Sequence, residues 1–397
     1  KMDKQRIRAD MMRLAEIGKD PQGGISRVFG SEFMNQERQQ ALLYLEQAGF
    51  ESYLDSVGNV HGVYRPANSC GPEILTGSHL DTVKQGGIFD GLMGFVTSVE
   101  AVRLLREEGV QLKCPVHVVG TNGEEGNTLG GTFGSRAMMG LLDLSDPQYL
   151  ALCETFGYTK QDLENAVLPT SGIRCYLEAH IEQGKTLYEK KEKIGIVKGI
   201  VGLQRYGVRV RGESNHAGTT MMEYRRDALV ASSKLVIKAD QLARQMGGGM
   251  VATGGKVDAL PGAVAVSPGQ ADFILECRNL EESRMEQFIS ASREYAATLN
   301  EVEIEFTPIV KKQPVHCEAG LVEMLDAICT QQGIPHRIMS SGATHDGNAF
   351  ALKFPIGMIF LPSREGISHN PAAWTEWEDV YTGIEVLAQA LKQPGQG

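Results

Sequence analysis

The sequence predicts an α/β protein in which a smaller domain is inserted into a larger domain with a mixed β-sheet. Strand and helix signals alternate between residues 59 and 121 and again after residue 320, as a parallel or mixed sheet requires. The middle of the chain reads strand, helix, strand, strand, helix, strand, which is the βαββαβ order of a ferredoxin-like domain. We therefore predict a larger domain from residues 1–204 and 315–397 and an inserted domain from residues 205–314.

The elements of the larger domain are predicted from short apolar runs, which favour strands, and from apolar residues spaced three or four positions apart, which favour helices. The first part contains, in order, an amphipathic N-terminal helix, a helix at 35–48, strands at 59–65 and 73–78, a helix at about 91–108, and strands at 115–121 and 175–180. The second part contains a helix at 320–333, a strand at 336–340, a helix at 346–353, a strand at 355–361 and a helix at 377–392.

The inserted domain is predicted from the same two periodicities. Its strands are expected at 206–214, 250–258, 271–279 and 302–310, and its helices at 226–246 and 281–300. One helix follows the first strand and the other follows the third, so two helices can cover one face of a four-stranded sheet.

The composition argues against a nucleic-acid-binding or membrane protein. The net charge is -10 and lysine and arginine form no cluster, whereas phosphate-binding surfaces need clustered cations. No apolar run approaches the roughly 18 residues of a membrane helix, and the N-terminal helix lacks the apolar centre of a signal peptide, so we expect a cytoplasmic protein. The seven cysteines are scattered without CxxC spacing, which favours reduced thiols.

Several side chains that suit a metal lie at the carboxyl ends of predicted strands in the larger domain. That edge of an open α/β sheet is where ligands bind, so distant residues can meet there. Imidazole and carboxylate together suit Zn²⁺ or Mn²⁺, and two such ions about 3.5–4 Å apart can share one carboxylate. We predict a first ion held by His79, Asp90 and His180, and a second held by Asp90, Glu125 and His369, with Asp90 as the bridge.

The adjacent Glu124 and Glu125 need different roles, because two carboxylates in one small site repel each other unless cations offset them. We assign Glu125 as a metal ligand and Glu124 as the general base, although their spacing alone leaves the order open. Asp81, two residues after His79, can accept the second ring N–H of that histidine and fix its tautomer. A simpler alternative for Asp90 is that it only caps the following helix.

Six motifs along nearly the whole chain, taken together, resemble the M20-type metallohydrolases of the ureido branch. That branch includes allantoate amidohydrolases, N-carbamoyl-L-amino acid amidohydrolases and β-ureidopropionases. The motifs, in chain order, are SHLDTVKQGGIFDG, NGEEGNTLGGTFGSR, EAHIEQG, GESNHAGTT, SGATHDG and GISHNP.

The resemblance implies a di-metal hydrolase whose catalytic domain contains the mixed sheet and whose inserted domain is a lid and a dimerisation domain. It also implies that Glu124 is the base and Glu125 the ligand. His216 would reach the active site of the partner subunit in a homodimer and stabilise the oxyanion there.

The resemblance further implies three contacts with the substrate. Gln183 and His345 would contact the ureido group or its neighbours, and Arg278 would bind the substrate carboxylate through a charge-assisted hydrogen bond. Simpler alternatives are that Arg278 pairs with a carboxylate of its own sheet and that His345 caps the helix at 346–353.

Two residues depart from the pattern of the family. Ala265 stands where the family usually has an asparagine whose amide helps the arginine hold the carboxylate, so this anchor loses hydrogen bonds. Met221 stands where proline is usual, so the loop after His216 loses a fixed φ angle. These departures indicate a substrate preference different from that of the best-known members.

The resulting hypothesis is an amidohydrolase that cleaves a linear C–N bond of an N-carbamoyl (ureido) acid, such as an N-carbamoyl-L-amino acid or allantoate, and releases ammonia. We expect two divalent ions per subunit, Zn²⁺ or Mn²⁺, with Co²⁺ or Ni²⁺ as alternatives, and a homodimer without nucleic-acid or membrane partners. A peptidase or aminoacylase acting on dipeptides or N-acyl amino acids is the second hypothesis. A non-catalytic ligand-binding relative is the third, and Ala265 is its main support.

Overall fold

The computed structural model describes residues 2–393 and contains strands and helices in alternation. The strands are β1 (Glu51–Leu54), β2 (Val60–Tyr64), β3 (Glu73–His79), β4 (Val116–Thr121), β5 (Ile173–Ile181), β6 (Ile194–Ile200), β7 (Gly202–Arg211), β8 (Asn215–His216), β9 (Val251–Leu260), β10 (Val266–Ser267), β11 (Gln270–Asn279), β12 (Glu303–Lys312), β13 (Val315–His316), β14 (His336–Ser341) and β15 (Ile356–Leu361).

The helices account for most of the remaining ordered segments. They are α1 (Lys4–Ala15), α2 (Phe33–Gln47), α3 (Leu92–Glu107), α4 (Phe133–Met138), α5 (Pro147–Thr155), α6 (Lys160–Asn165), α7 (Thr186–Lys190), α8 (Ala228–Met246), α9 (Glu282–Ala296), α10 (Ala319–Gln331), α11 (Gly347–Phe350) and α12 (Trp377–Lys392). In the part of the chain that is described, none of them combines the length and apolar character needed to cross a membrane.

Backbone contacts divide the chain into two compact units. One contains the residues up to Lys198 together with those from His316 onward, and the other is Gly199–Val315. This division falls a few residues from the domain limits predicted from the sequence, at 204/205 and 314/315.

A nine-stranded mixed sheet forms the centre of the larger unit. Its strands follow the order β1-β2-β4-β3-β5-β15-β6-β13, and β14 pairs with β6. Strands β3, β4, β5 and β15 run parallel, whereas β2 is antiparallel to β4 and β6 is antiparallel to β15. The register pairs His79 with Thr121 and His180 with Phe360, so the carboxyl ends of the four parallel strands lie at one edge. The predicted mixed α/β fold is therefore confirmed.

Helix α3 connects β3 to β4 and lies against the sheet. The apolar residues on one of its faces recur three or four positions apart and are at most 1 % exposed, and most of the other residues of the helix are buried as well. These apolar residues are Leu92, Phe95, Val96, Val99 and Val102. A helix that is apolar on nearly all sides belongs in the interior of a protein, and α3 contacts β3, β5 and α12. This burial holds the start of α3, and with it the loop before it, in a defined place.

The smaller unit contains a four-stranded antiparallel sheet in the order β12-β7-β11-β9 with two helices, α8 and α9. Strand β11 alternates between buried and half-buried residues along its whole length, which is the pattern of a sheet covered on one face. The predicted βαββαβ order is confirmed. The two-residue strands β8 and β10 were not predicted, because two residues are too few to show a periodicity.

Candidate metal centre

The five predicted metal ligands lie in the larger unit, near the carboxyl ends of its parallel strands. His79 is the last residue of β3 and His180 lies one residue before the end of β5. Glu125 follows β4, Asp90 precedes α3, and His369 follows β15. The five side chains therefore come from four strand–loop connections of one sheet, and His79 and Asp90 share the connection after β3.

The first predicted group of ligands converges on a common point. The Nε2 atoms of His79 and His180 are 3.3 Å apart, and they lie 3.4 and 3.3 Å from Oδ1 of Asp90. In a tetrahedral zinc site with bonds of about 2.0–2.1 Å, neighbouring ligand atoms are about 3.3–3.4 Å apart. The three atoms thus have the spacing of three corners of such a site.

The hydrogen bonds of the two imidazoles leave both Nε2 atoms as lone-pair donors. Nδ1 of His79 is 2.8 Å from the carbonyl oxygen of Asp81, and Nδ1 of His180 is 2.9 Å from that of Ile181. A carbonyl can only accept, so each Nδ1 carries the hydrogen of the neutral ring. Two lone pairs and a carboxylate oxygen then face one another, an arrangement that a divalent cation would stabilise.

Asp90 lies between the two groups of ligands. Its Oδ1 is buried and has no hydrogen-bond partner among the described residues. The cap position of α3 is occupied by Gly91, so Asp90 does not serve as the helix cap. Gly91 has φ +68° and a Cβ atom there would lie 2.5 Å from the ring of His79, which explains why this position needs glycine.

The second predicted group also converges, around the other oxygen of Asp90. Nε2 of His369 is 3.6 Å from Oδ2 of Asp90 and 3.4 Å from Oε1 of Glu125. The ligand atoms of these three residues all lie within 4.8 Å of one another, as do those of the first group. The side-chain amide of Gln183 is close to both His369 and Asp90, at 3.3 and 3.4 Å. The side chain of His369 is 47 % exposed, so solvent reaches this group.

Glu124 is close to the first group without belonging to it. Its Oε2 is 3.7 Å from Nε2 of His79, and its carboxylate is almost fully buried. The main-chain N–H groups of Glu124 and Glu125 donate to the two carboxylate oxygens of Asp81, at 3.0 and 3.1 Å. The Asp81 carboxylate thus holds the backbone of the glutamate pair, and the carbonyl of Asp81 accepts the His79 ring N–H that we had expected its carboxylate to accept.

The electrostatics of the cluster indicate an excess of negative charge. Burial, reinforced by neighbouring carboxylates, raises the pKa of Glu124 well above its usual range, and burial together with Glu125 raises the pKa of Asp81 to about 6. Burial lowers the pKa of His79, because it disfavours the charged imidazole. The nearby carboxylates of Glu124, Asp90 and Asp81 have a larger, opposite effect, so the pKa of His79 is well above its usual value. Bound cations would offset this repulsion.

A set of buried polar residues behind the cluster was not predicted from the sequence. Asp346 is fully buried and accepts hydrogen bonds from the hydroxyls of Thr121 and Ser135. Glu178 is 1 % exposed and accepts a hydrogen bond from Ser78 at 2.8 Å. Glu178 lies two residues before His180, on the same side of β5, and this spacing was the signal available in the sequence.

His345 also lies behind the cluster. It is 1 % exposed, its Nε2 is 2.9 Å from the hydroxyl of Ser341, and its ring contacts that of His180 edge to face at 4.6 Å. His345 precedes the short helix α11, but its ring makes no hydrogen bond with the first turn of that helix in the described residues. The structure therefore places the buried ring of His345 against that of His180, and its contact with the ureido group or its neighbours stays a prediction.

The remaining predicted residues lie in the smaller unit. Nδ1 of His216 accepts from the main-chain N–H groups of Gly218 and Thr219, at 3.0 and 3.2 Å, so the ring hydrogen is on Nε2 and is available for donation. Nε of Arg278 donates to Oε1 of Glu276 at 2.8 Å. Arg278 therefore pairs with a carboxylate of its own sheet, which is the simpler alternative to a contact with substrate.

The two departures from the family pattern lie in loops of the smaller unit. Ala265 precedes β10, and its carbonyl accepts from the N–H of Ala217, next to His216. Met221 is 64 % exposed, so the position that usually holds proline makes little contact in this conformation.

The chain is similar in sequence to known proteins along nearly its whole length. Residues 75–393 match the sequence model of peptidase family M20/M25/M40. An N-carbamoyl-L-amino acid amidohydrolase from Geobacillus stearothermophilus is 35 % identical over 99 % of both chains. Allantoate amidohydrolase from Escherichia coli is 35 % identical over 98 % of both chains.

A solved structure shares the fold over nearly its entire length. It is an amidase of the hydantoinase/carbamoylase family from Burkholderia multivorans, with a TM-score of 0.89, 28 % sequence identity, and coverage of 99 % of this chain and 98 % of that one. The family match, the full-length relatives and this shared fold together show that the chain belongs to peptidase family M20/M25/M40.

Proposed function

We propose that the chain is a metal-dependent amidohydrolase that cleaves a linear C–N bond of an N-carbamoyl acid, such as an N-carbamoyl-L-amino acid or allantoate. The observation that carries the proposal is the position of Asp90, whose two carboxylate oxygens face two different groups of ligands. The substrate class is supported by the activities for which the relatives of about 35 % identity are named.

The proposed cofactor is a pair of divalent ions, Zn²⁺ or Mn²⁺, with Co²⁺ or Ni²⁺ as alternatives. The residues fit such a pair because three imidazoles and two carboxylates supply nitrogen and oxygen donors, and because the unpartnered Oδ1 of Asp90 needs a positive neighbour. His79, Asp90 and His180 would hold one ion, and Asp90, Glu125 and His369 the other. Bound cations of this kind polarise a carbonyl and make water a strong nucleophile near neutral pH.

The remaining chemistry is proton transfer, and we assign it to Glu124. During attack on the ureido carbon, the water oxygen forms a bond to carbon and the C–N bond to the leaving nitrogen breaks. Glu124 takes the proton from water and gives it to the leaving nitrogen, so that ammonia departs. Its nearly complete burial and its raised pKa suit a group that must both accept and release a proton in one cycle.

Substrate recognition is assigned to residues of both units. Arg278 would bind the substrate carboxylate, with Glu276 holding its Nε, and His216 would donate its Nε2 hydrogen to the developing oxyanion. Gln183 would contact the ureido group beside His369. We further propose that the smaller unit is a lid and that His216 acts in the partner subunit of a homodimer. A monomer mass in sedimentation of the active protein would contradict the shared site.

Two other functions use the same scaffold. A peptidase or aminoacylase would cleave an ordinary amide, and a non-catalytic relative would bind ligand without turnover. The ureido hydrolase is favoured because both full-length relatives at 35 % identity are named for ureido substrates and because Glu124 and all five ligand residues are present and converge.

The proposal is tested with the protein loaded separately with Zn²⁺, Mn²⁺, Co²⁺ or Ni²⁺. Ammonia release measures cleavage of the ureido acids, and release of free amino acid measures cleavage of the acetyl and peptide substrates. The substrates are allantoate, N-carbamoyl-L-amino acids, their D-enantiomers, N-acetyl amino acids and dipeptides. We expect turnover of at least one ureido acid and much slower cleavage of the matched N-acetyl and dipeptide substrates. Faster cleavage of the acetyl or peptide substrates would establish the second function, and saturable binding without any turnover would establish the third.

A further inference from the structure

A segment near the N-terminus contacts the loop that joins two of the proposed ligands. The N–H and carbonyl of Ile25 pair with the main chain of Gly86, and the carbonyl of Arg27 accepts from the N–H of Thr82 at 3.0 Å. Gly86 and Thr82 both lie between His79 and Asp90. This N-terminal segment precedes residue 75, where the match to the family model begins.

Arg27 holds this loop on both sides of Asp81. Its Nε is 3.2 Å from the carbonyl oxygen of Leu80, and its main-chain N–H donates to the hydroxyl of Thr82 at 2.9 Å. The side chain is 1 % exposed, so water does not compete for these hydrogen bonds. The two peptide groups that flank Asp81 are thus both tied to one residue.

The guanidinium is itself held in place by other parts of the N-terminal region. Nη1 donates to the carbonyl oxygens of Leu14 and Ile17, at 3.3 and 2.9 Å. Nε is 2.6 Å from the carboxylate of Glu37, which lies on α2 and is 5 % exposed. A buried ion pair is a weak source of stability, since burying two charges costs much of what their attraction contributes. Glu37 supports the arginine by charge alone, because its Oε1 accepts no hydrogen bond among the described residues, and the three carbonyl oxygens fix the direction of the guanidinium.

Asp81 links the loop held by Arg27 to the proposed metal ligands and base. Its carboxylate oxygens accept the N–H groups of Glu124 and Glu125, and its carbonyl accepts the ring N–H of His79. A rotation of the Asp81 backbone would therefore move the proposed base Glu124 and the proposed ligands Glu125 and His79 together. It would also move the hydrogen bond that fixes the tautomer of His79.

We infer that Arg27, supported by Glu37, is a positioning residue that sets the orientation of the Glu124–Glu125 pair through Asp81. The inference rests on the proposed function for its effect on turnover, but the link from Arg27 to Glu124 and Glu125 is a property of the fold alone. Two measurements, one of activity and one of backbone protection, therefore separate the two claims.

The main test is the double variant Arg27→Met/Glu37→Met, which replaces both charges by apolar side chains of similar length. Such a replacement of a buried pair is often neutral for stability, so the fold is expected to persist. We expect kcat for the ureido substrate to fall by about 10–100-fold with KM nearly unchanged, the usual effect of removing a group that orients catalytic residues. We also expect faster amide hydrogen exchange in the peptides covering residues 80–82 and 122–126, with exchange in α12 unchanged.

Arg6→Met is the matched control. Arg6 pairs with the buried Glu100 and with Glu107, at 2.9 and 2.6 Å, and so makes a comparable ion-pair contact on α3. Its loss is expected to change neither kcat nor exchange at residues 122–126. An equal fall of kcat in this control would show that Arg27 acts only through general stability and would overturn the inference.

Thr82→Val is the second variant, used if the double variant does not fold. It removes the hydroxyl that accepts from the main-chain N–H of Arg27 while keeping the side-chain volume. We expect kcat to fall by about tenfold, with faster amide hydrogen exchange in the same peptides as in the double variant. Unchanged exchange at residues 122–126 in a folded variant overturns the inference. If the wild-type protein turns over no ureido acid, the proposed function fails, and the exchange measurement alone decides the role of Arg27.

Discussion

Two pairs of buried histidines lie in the same nine-stranded sheet, and their hydrogen bonding is opposite. In the first pair, Nδ1 of His61 is 2.8 Å from Nε2 of His117, and the two outer nitrogens contact Asp55 at 3.1 Å and Glu73 at 3.0 Å. The ring of Tyr53 stacks on His61 at 4.6 Å. Every ring nitrogen of this pair therefore has a polar partner within the protein.

In the second pair, only the Nδ1 atoms of His79 and His180 are satisfied by the main chain. Their Nε2 atoms face each other and an oxygen of Asp90 that lacks a hydrogen-bond partner in the described chain. Buried polar groups are normally paired, and an unpaired one is costly, so the second pair and Asp90 have the character of a group that could hold a cation.

The position in the sheet separates the two pairs. His117 is the second residue of β4, whereas His79 is the last residue of the parallel strand β3. Ligands gather at the carboxyl ends of parallel strands, where loops open onto a crevice. Two histidine pairs of similar burial thus differ in position, since one lies within the strands and the other at the edge where the proposed metal site lies.

The largest effect on activity is expected from replacing a histidine of the second pair, His79 and His180. His180→Asn should remove one ion and lower kcat/KM by at least about 10⁴-fold, because both the activated water and the polarised carbonyl depend on that ion. The matched variant His61→Asn should retain wild-type kcat/KM at a temperature where it is folded. Ammonia release and metal content measured on both variants check this, and equal losses in the two would refute the difference in function.

A smaller effect is expected from removing the base while leaving the ligands intact. Glu124→Gln should keep its metal content and lose turnover by about 10²–10⁴-fold, the range of a single general base. Glu73→Gln is the control, since Glu73 is the carboxylate partner of the satisfied pair. Retention of more than a tenth of wild-type kcat by the Glu124 variant would reject its assignment as the base.

The smallest effect concerns stability. In metal-free protein, His117→Leu should lower the free energy of unfolding by about 1–3 kcal/mol, because it leaves Nδ1 of His61 and Oε2 of Glu73 without their hydrogen-bond partner. His180→Leu should lower it less, since only the Nδ1 of His180 has a hydrogen-bond partner in the main chain. Adding metal at about 100 times its dissociation constant should stabilise the His117 variant by about 2.7 kcal/mol. Urea titrations with and without metal measure both, and equal metal stabilisation of the two variants would contradict the comparison.

Several elements were predictable because they are long and regular. The predicted range 91–108 corresponds to α3 and the range 226–246 to α8, since apolar residues recur through several turns in each. Strand β6 was missed because its sequence, IGIVKGI, contains two glycines and resembles a loop. A Cβ atom at Gly195 would lie 2.4 Å from Sδ of Met339, so this glycine reflects close packing rather than a turn.

The convergence of ligands was predictable from strand ends, but the residues that orient them were not. Arg27 and Glu37 carry no motif, and a charged residue in a glycine-rich segment normally indicates an exposed loop. Only the contact with the loop after His79 shows their place. Likewise Asp346 follows the predicted His345, yet its hydroxyl partners come from β4 and α4.

The sequence by itself determined the order and type of the elements and the chemical nature of the donor set, because periodicity and residue type are local properties. The tertiary structure alone decided which buried polar atoms find partners and which do not. That difference depends on distances of a few ångströms between segments far apart in the chain. It separates His61 and His117, each nitrogen of which is paired, from His79 and His180, whose Nε2 atoms face an oxygen without a hydrogen-bond partner among the described residues.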